Sequence, residues 1–169
     1  MNQHSRIINV DYLIIGTGIA GLSAALKCAD HGTVGIITKG GIRDSNTHWA
    51  QGGIAAAIPE HDQPDWHYQD TINAGDGLCQ PKMVKTLVEE GVQCVQELIG
   101  LGANFDRDGD ELSYTQEGAH SQRRILHAGD STGREIEKTL GRQLLQKPTV
   151  TFYSYTHVIQ LVVKENVCY

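Results

Sequence analysis

Apolar positions along this chain fall into short runs and helical stripes that alternate. Tyr12 to Ile15 is an apolar run, β-branched at its end and bounded by glycine, and predicts a fully buried strand. Leu22 to Ala29 predicts a helix packed closely on a sheet, with His31-Gly32 as its stop. Val34 to Thr38 predicts a second strand, which closes a βαβ unit of about 30 residues. Ile54 to Ile58 is apolar enough for a buried strand or core segment, and Asp65 to Gly75 reads as a short helix. Pro81 suits the first turn of a longer helix. Its Met83, Val84, Leu87, Val88, Val92, Val95, Leu98 and Ile99 form an amphipathic stripe facing a core, and Gly100 and Gly102 end it. Asp106 to Glu111 predicts a tight turn joining two strands; its spacing does not fit a calcium loop. A helix opens near Ser131 or Thr132, with Glu135 in its first turn, and runs to about Gln146. Val150 to Tyr155 and Val158 to Val163 predict two further strands.

Composition narrows the class. The 169 residues carry 14 basic and 20 acidic side chains, a net charge of −6. With no basic run, this balance argues against a nucleic-acid partner. No apolar stretch approaches the roughly 20 residues of a membrane span, and no apolar leader precedes the first strand. A soluble, cytoplasmic protein is expected. Cys28, Cys79, Cys94 and Cys168 are widely spaced without a CxxC pair, so no zinc or redox motif is expected. Cys28 and Cys94 fall on apolar helical positions and are expected to be buried, reduced thiols.

Candidate chemistry begins at Gly16-x-Gly18-x-x-Gly21, directly between the first strand and first helix. Gly16 permits a tight turn, Gly18 lets a pyrophosphate approach the backbone, and Gly21 lets the helix lie against the strand. The helix N-terminus favours phosphate. The end of the second strand, where nicotinamide-binding folds place an acid for the ribose, carries Thr38 and Lys39 instead. Lys39 fits a ribose phosphate, an adenine or plain solvent. Ser45 to Gly53 is small, polar and glycine-rich, a poor helix former that suits a backbone laid against a flat ligand. Farther on, Glu117, His120, Arg123, Arg124, His127 and Asp130 crowd together. The two histidines are spaced wrongly for a helical metal pair, so no metal is expected. The arginines suit an anionic pocket or pairing with surface acids.

Together the glycine turn, Ala50-Gln-Gly-Gly-Ile-Ala-Ala and Arg123-Arg-Ile-Leu-His-Ala-Gly-Asp-Ser-Thr-Gly133 resemble the flavoprotein family that includes fumarate reductase, succinate dehydrogenase and L-aspartate oxidase. The resemblance runs along nearly the whole chain, with three separated motifs in order. It implies an α/β, Rossmann-like FAD-binding domain (the GR2-type flavoprotein fold). Residues 1–169 would be its N-terminal part, with the capping and C-terminal helical domains absent. It implies that Gly16, Thr17, Gly18, Ile19, Ala20 and Gly21 meet the FAD pyrophosphate and that Lys39 lies at the adenosine end. Asn46, Thr47, His48, Trp49, Ala50, Gln51, Gly52 and Gly53 would wrap the ribityl and isoalloxazine region. Membrane-bound members attach FAD through a histidine at the position of Asn46, and His48 is out of register, so the resemblance implies non-covalent FAD. The loop Thr115 to Ser121 is similar to that of the aspartate-oxidising members, where a glutamate, here Glu117, orients the substrate amino group. The implied reaction oxidises L-aspartate to iminoaspartate, with oxygen or fumarate reoxidising the flavin and quinolinate synthase taking the product into NAD synthesis. The family's proton-transfer arginine is expected beyond Tyr169. No catalytic residue is therefore assigned within the chain, which is expected to be an inactive fragment.

Overall fold

The computed structural model describes residues 6–165, 167 and 168. Its elements are β1 (Tyr12–Ile15), α1 (Ile19–Cys28), β2 (Val34–Ile37), α2 (Asn46–Trp49), β3 (Ile54–Ala55), α3 (Pro64–Ala74), α4 (Pro81–Gly100), β4 (Arg107–Asp108), β5 (Glu111–Leu112), β6 (Tyr114–Thr115), β7 (Ile125–Leu126), α5 (Thr132–Leu145), β8 (Val150–Tyr153), β9 (Val163–Lys164) and β10 (Val167–Cys168). The chain divides into two compact units, Met1–Asn46 with Leu140–Tyr169, and Thr47–Thr139.

In the first unit, β1, β2 and β8 form a parallel sheet with β2 in the middle. Val34 and Ile36 of β2 are buried with Leu22 and Ala25 of α1 and with Leu140 and Leu144 of α5. The base of the βαβ unit is tied by Asp11, whose carboxylate accepts the Thr33 N–H at 2.8 Å and the Thr33 hydroxyl at 2.7 Å. These bonds to the charged form hold the Asp11 carboxyl below its ordinary value.

The expectation of a fully buried first strand does not hold: Tyr12, Leu13 and Ile15 are 37%, 48% and 53% exposed. Parallel strands read as continuous apolar runs when both faces are covered. Among the described residues β1 is an edge strand of the β1-β2-β8 sheet, and burial goes to β2. The second C-terminal strand also departs from expectation. Residues 158–162 are outside any strand and largely exposed, and only Val163 and Lys164 pair, with Cys168 and Val167.

In the second unit, β7 is the central strand of an antiparallel sheet between β3 and β6. Leu126 faces both Ile54 and Tyr114, and Ile125 faces both Ala55 and Thr115. The turn foreseen at Asp106 to Glu111 is the β4–β5 hairpin, with Gly109 at φ +64°. Helices α3 and α4 pack on each other. Val84, Val88, Val95 and Leu98 of the α4 stripe are buried, whereas Met83 and Leu87 are 51% and 62% exposed. The stripe is wider than the face it covers. Cys94 is exposed beside it and Cys28 partly so, which corrects the expectation of buried thiols.

Gly21 carries the closest backbone approach of the first unit. A Cβ there would strike the Gly16 carbonyl oxygen and stand 3.3 Å from Ile14 Cγ2. Gly21→Ala is expected to destabilise the chain by about 1–3 kcal/mol, the range for overpacking against atoms that cannot move aside. Urea unfolding checks this; a loss below about 0.5 kcal/mol, the scatter of ordinary surface substitutions, would contradict the contact.

Candidate functional site

The glycine turn is built as its spacing requires. Gly16 takes φ +103°, a conformation that side chains resist, and its N–H bonds the Ile37 carbonyl at 2.8 Å, locking the end of β1 to the end of β2. Thr17 is buried, and its hydroxyl meets that of Thr38 at 3.4 Å. Gly18 is the cap residue of α1 and supplies no side-chain cap, which leaves the phosphate-favouring end of that helix uncovered by its own cap. Ile19 and Ala20 are exposed, and so is Lys39 after Thr38. A Cβ on Gly16 would meet nothing, so there is open space beside the turn. These are features a diphosphate cradle needs.

The segment expected to lie flat contains one helical turn, α2. Its glycines lie after that turn rather than within it, which is why the propensity argument missed it. Within the second unit this segment packs on the start of α5. The Gly133 N–H donates to the Ala50 carbonyl at 3.1 Å, and a Cβ on Gly133 would strike the Thr47 carbonyl oxygen. His48 Nδ1 lies 2.6 Å from Oε2 of Glu137, a carboxylate only 2% exposed. Trp49 is 67% exposed and stands edge-on to His48. Ala50, Gln51 and Gly52 are exposed, and a Cβ on Gly52 would meet nothing. At Gly53 the backbone closes on β7: a Cβ would strike Ile125 Cγ2 and stand 2.8 Å from His127 Nε2. Open space at Gly52 and close approach at Gly53 fit a backbone that serves a flat ring, so the residues present fit FAD.

The crowded stretch resolves into two arrangements. Arg124 is fully buried. Its Nε and Nη2 donate to Asp62 at 2.7 and 2.8 Å, and its Nη1 donates to Asp70 at 2.6 Å and lies 3.2 Å from His120 Nδ1. Asp70 also accepts the Ser121 N–H and hydroxyl, each at 2.8 Å. Burial pushes the Asp70 carboxyl up, but the bonds from Ser121 and Arg124 outweigh it and hold it below its ordinary value. Burial likewise opposes the Arg124 charge, and the two aspartates more than restore it. His67, buried against His120 at 5.4 Å between ring centroids, is pushed down by burial, then by the Arg124 and His120 charges. Its Nδ1 has no hydrogen-bond partner among the described residues. Arg124 is thus a buried structural charge, neither pocket cation nor surface pair. Arg123 is exposed and bonds the Tyr114 carbonyl at 3.0 Å. In the second arrangement, Glu117 Oε1 lies 3.0 Å from His127 Nε2, with the two side chains 49% and 23% exposed.

Residues 11–169 match the family described as FAD binding domain. The chain belongs to this family. It is 47% identical over 140 residues to an L-aspartate oxidase of Nostoc sp., covering 83% of this chain and 24% of that protein. It is 44% identical over 151 residues to an L-aspartate oxidase of Synechocystis sp., covering 89% and 27%. Among solved structures, the FrdA chain of E. coli quinol fumarate reductase superposes with a TM-score of 0.92 at 28% identity, over 97% of this chain and 29% of that one. The chain therefore spans about a quarter of the length of the curated relatives it matches, and its fold is that of the N-terminal part of the family's FAD-binding domain. No helix among the described residues is long and apolar enough to cross a membrane.

Two residues escaped the sequence reading. Glu137 had a signal: it lies beside Ile136 and three residues before Leu140, on the buried side of α5, where a carboxylate needs a partner. Asp62 had none, because it lies in a polar turn far from Arg124 in sequence.

Removing one partner of a buried ion pair leaves the other uncompensated, so Asp62→Asn is expected to cost about 3 kcal/mol in urea unfolding. A second prediction concerns pH. A histidine with a lowered folded value contributes stability that is present above its unfolded value of about 6.5 and is lost as pH falls from there through the lower folded value. Stability should therefore drop as pH falls below about 6.5, and His67→Gln should flatten the drop. An unchanged slope would remove His67 as the cause.

Proposed function

We propose that this chain is the N-terminal part of the FAD-binding domain of an enzyme that oxidises L-aspartate to iminoaspartate, with oxygen or fumarate as the final electron acceptor. FAD, when bound, supplies the hydride acceptor for that oxidation. In this reading Gly16 to Gly21 hold the pyrophosphate, with Thr17 to Ala20 at its oxygens. Lys39 lies at the adenosine end, and Asn46 to Gly53 hold the ribityl and ring portion. Asn46 stands where covalent members carry histidine, which supports non-covalent FAD. In this reading the product would be taken up by quinolinate synthase in NAD synthesis. The four free cysteines favour a reducing compartment, and the proposal assigns the cytoplasm.

The observation that carries the substrate is Glu117. Its carboxylate is half exposed and faces a histidine. An ionised carboxylate accepts from an ammonium through a charge-assisted hydrogen bond, and an ammonium is what separates aspartate from succinate. Nearly all other work on the substrate falls to residues outside this chain, including the proton-transfer arginine, so the isolated segment is proposed to be inactive.

The alternative reading is a soluble fumarate reductase, favoured by the superposition on a fumarate reductase chain. Glu117→Gln, in a full-length enzyme carrying this segment, separates the two. Loss of one charged hydrogen bond should raise KM for aspartate roughly tenfold to a hundredfold and leave fumarate reduction little changed. Equal losses would favour the alternative. Acid precipitation of the same FAD-loaded enzyme should release all flavin to the supernatant; flavin left in the pellet would contradict non-covalent binding.

A further inference from the structure

His127 follows β7 directly and is held on several sides within the second unit. Its carbonyl accepts the Asp106 N–H at 2.7 Å. The edge of its ring at Nε2 packs where only a glycine, Gly53, leaves room. The same nitrogen is 3.0 Å from Glu117 Oε1. The pair stands at ion-pair distance, and because a carboxylate only accepts, attraction between them requires a proton on Nε2. The loop bearing Glu117 is fixed elsewhere. Gln116 Nε2 bonds the His120 carbonyl at 2.7 Å, and Asp70, itself bonded to Arg124, takes both donors of Ser121. Asp70 and Arg124 therefore set the path of the loop, and His127 sets the Glu117 side chain.

We propose that His127 is a positioning residue for recognition of the substrate ammonium. By holding Oε1 it keeps the Glu117 carboxylate in one rotamer and leaves Oε2 to accept from the ammonium. This gives the site its preference for a 2-amino dicarboxylate over an amine-free one. The proposal rests on the ammonium-binding reading of Glu117 given above. An unheld glutamate must surrender its side-chain rotations when it grips a ligand; one already held has surrendered them. Contact with Gly53 also gives this carboxylate and the segment assigned to the flavin ring one support, the paired strands β3 and β7.

The test uses a full-length L-aspartate oxidase carrying residues 11–169. His127→Leu is expected to raise KM for L-aspartate roughly tenfold, with kcat within about twofold and inhibition by succinate unchanged. His127→Gln, whose amide N–H can reach the same oxygen, should bring KM back to within about threefold. Adding His127→Leu to Glu117→Gln should raise KM no further, because the carboxylate it positions is gone. In the same protein labelled with 15N-histidine, NMR should show the Nε2–H tautomer of His127, and this preference should weaken in Glu117→Gln. If Glu117→Gln raises KM and His127→Leu does not, the role of His127 is overturned while that of Glu117 stands. If Glu117→Gln leaves KM unchanged, both fall together. Equal weakening of aspartate and succinate binding by His127→Leu would mark a structural role and overturn the proposal. Should His127→Leu fail to accumulate, the tautomer decides, and an Nδ1–H form overturns it.

Discussion

A guanidinium with no exposed surface constrains the second unit more than any other group. Taking a cation out of water costs several kcal/mol even after relaxation, and the expense is recovered only when every donor direction is satisfied with good geometry. Arg124 comes near that condition: each of its three nitrogens has a partner, through a two-pronged contact to Asp62 and a third bond to Asp70. Two carboxylates around one cation leave an excess negative charge, and Asp70 places it on the Ser121 N–H and hydroxyl. One buried charge thereby ties β7 to α3 and to the loop that precedes it. Glu117 and His127 flank this anchor on either side in sequence, so their contact inherits its precision.

The second constraint is the absence of side chains at close approaches. Gly21 brings the first helix of the chain onto the turn that precedes it, and Gly53 brings the segment after α2 onto β7. At each position a Cβ would meet atoms of a neighbouring element inside contact distance. Gly16 and Gly52 differ, because open space lies beside them. Packing explains the first pair. Gly16 is required by its φ of +103°, and the open space at Gly52 is what the proposed flavin would use.

Much of this was legible from residue order. The βαβ unit, the glycine turn, the hairpin at Asp106 to Glu111 and the helix after Ser131 follow from periodicity and turn chemistry, both local. The misreadings share one cause: burial is decided by neighbours distant in sequence. The run Tyr12 to Ile15 is equally apolar at an edge or a centre, and only the strand order shows it at an edge. Met83 and Leu87 belong to the right stripe yet lie beyond the area α4 covers. Cys94 falls on the exposed side of the same helix. At the site, the residue types at Glu117 and His127 drew attention, but their contact did not follow from spacing. Arg124 was read as a pocket or surface cation because nothing near it in sequence announces Asp62. Its burial becomes intelligible only with that aspartate in place.

Magnitudes decide what the Glu117–His127 contact is for. A pair exposed to this degree contributes roughly 0–1 kcal/mol to stability, less in salt. The Arg124 network, buried and fork-shaped, already fixes the loop far more firmly, so the contact adds little to the fold. In the proposed function a ligand ammonium would change the balance. On binding it excludes water from the exposed side of the carboxylate, and an electrostatic contact strengthens as its surroundings dry. Its value is then the difference between bound and free states, and a carboxylate that has already lost its rotational freedom keeps more of that value as affinity. Weak in the unliganded fold and stronger if an ammonium binds as proposed, the contact would have the energetic profile of a recognition element rather than a structural one.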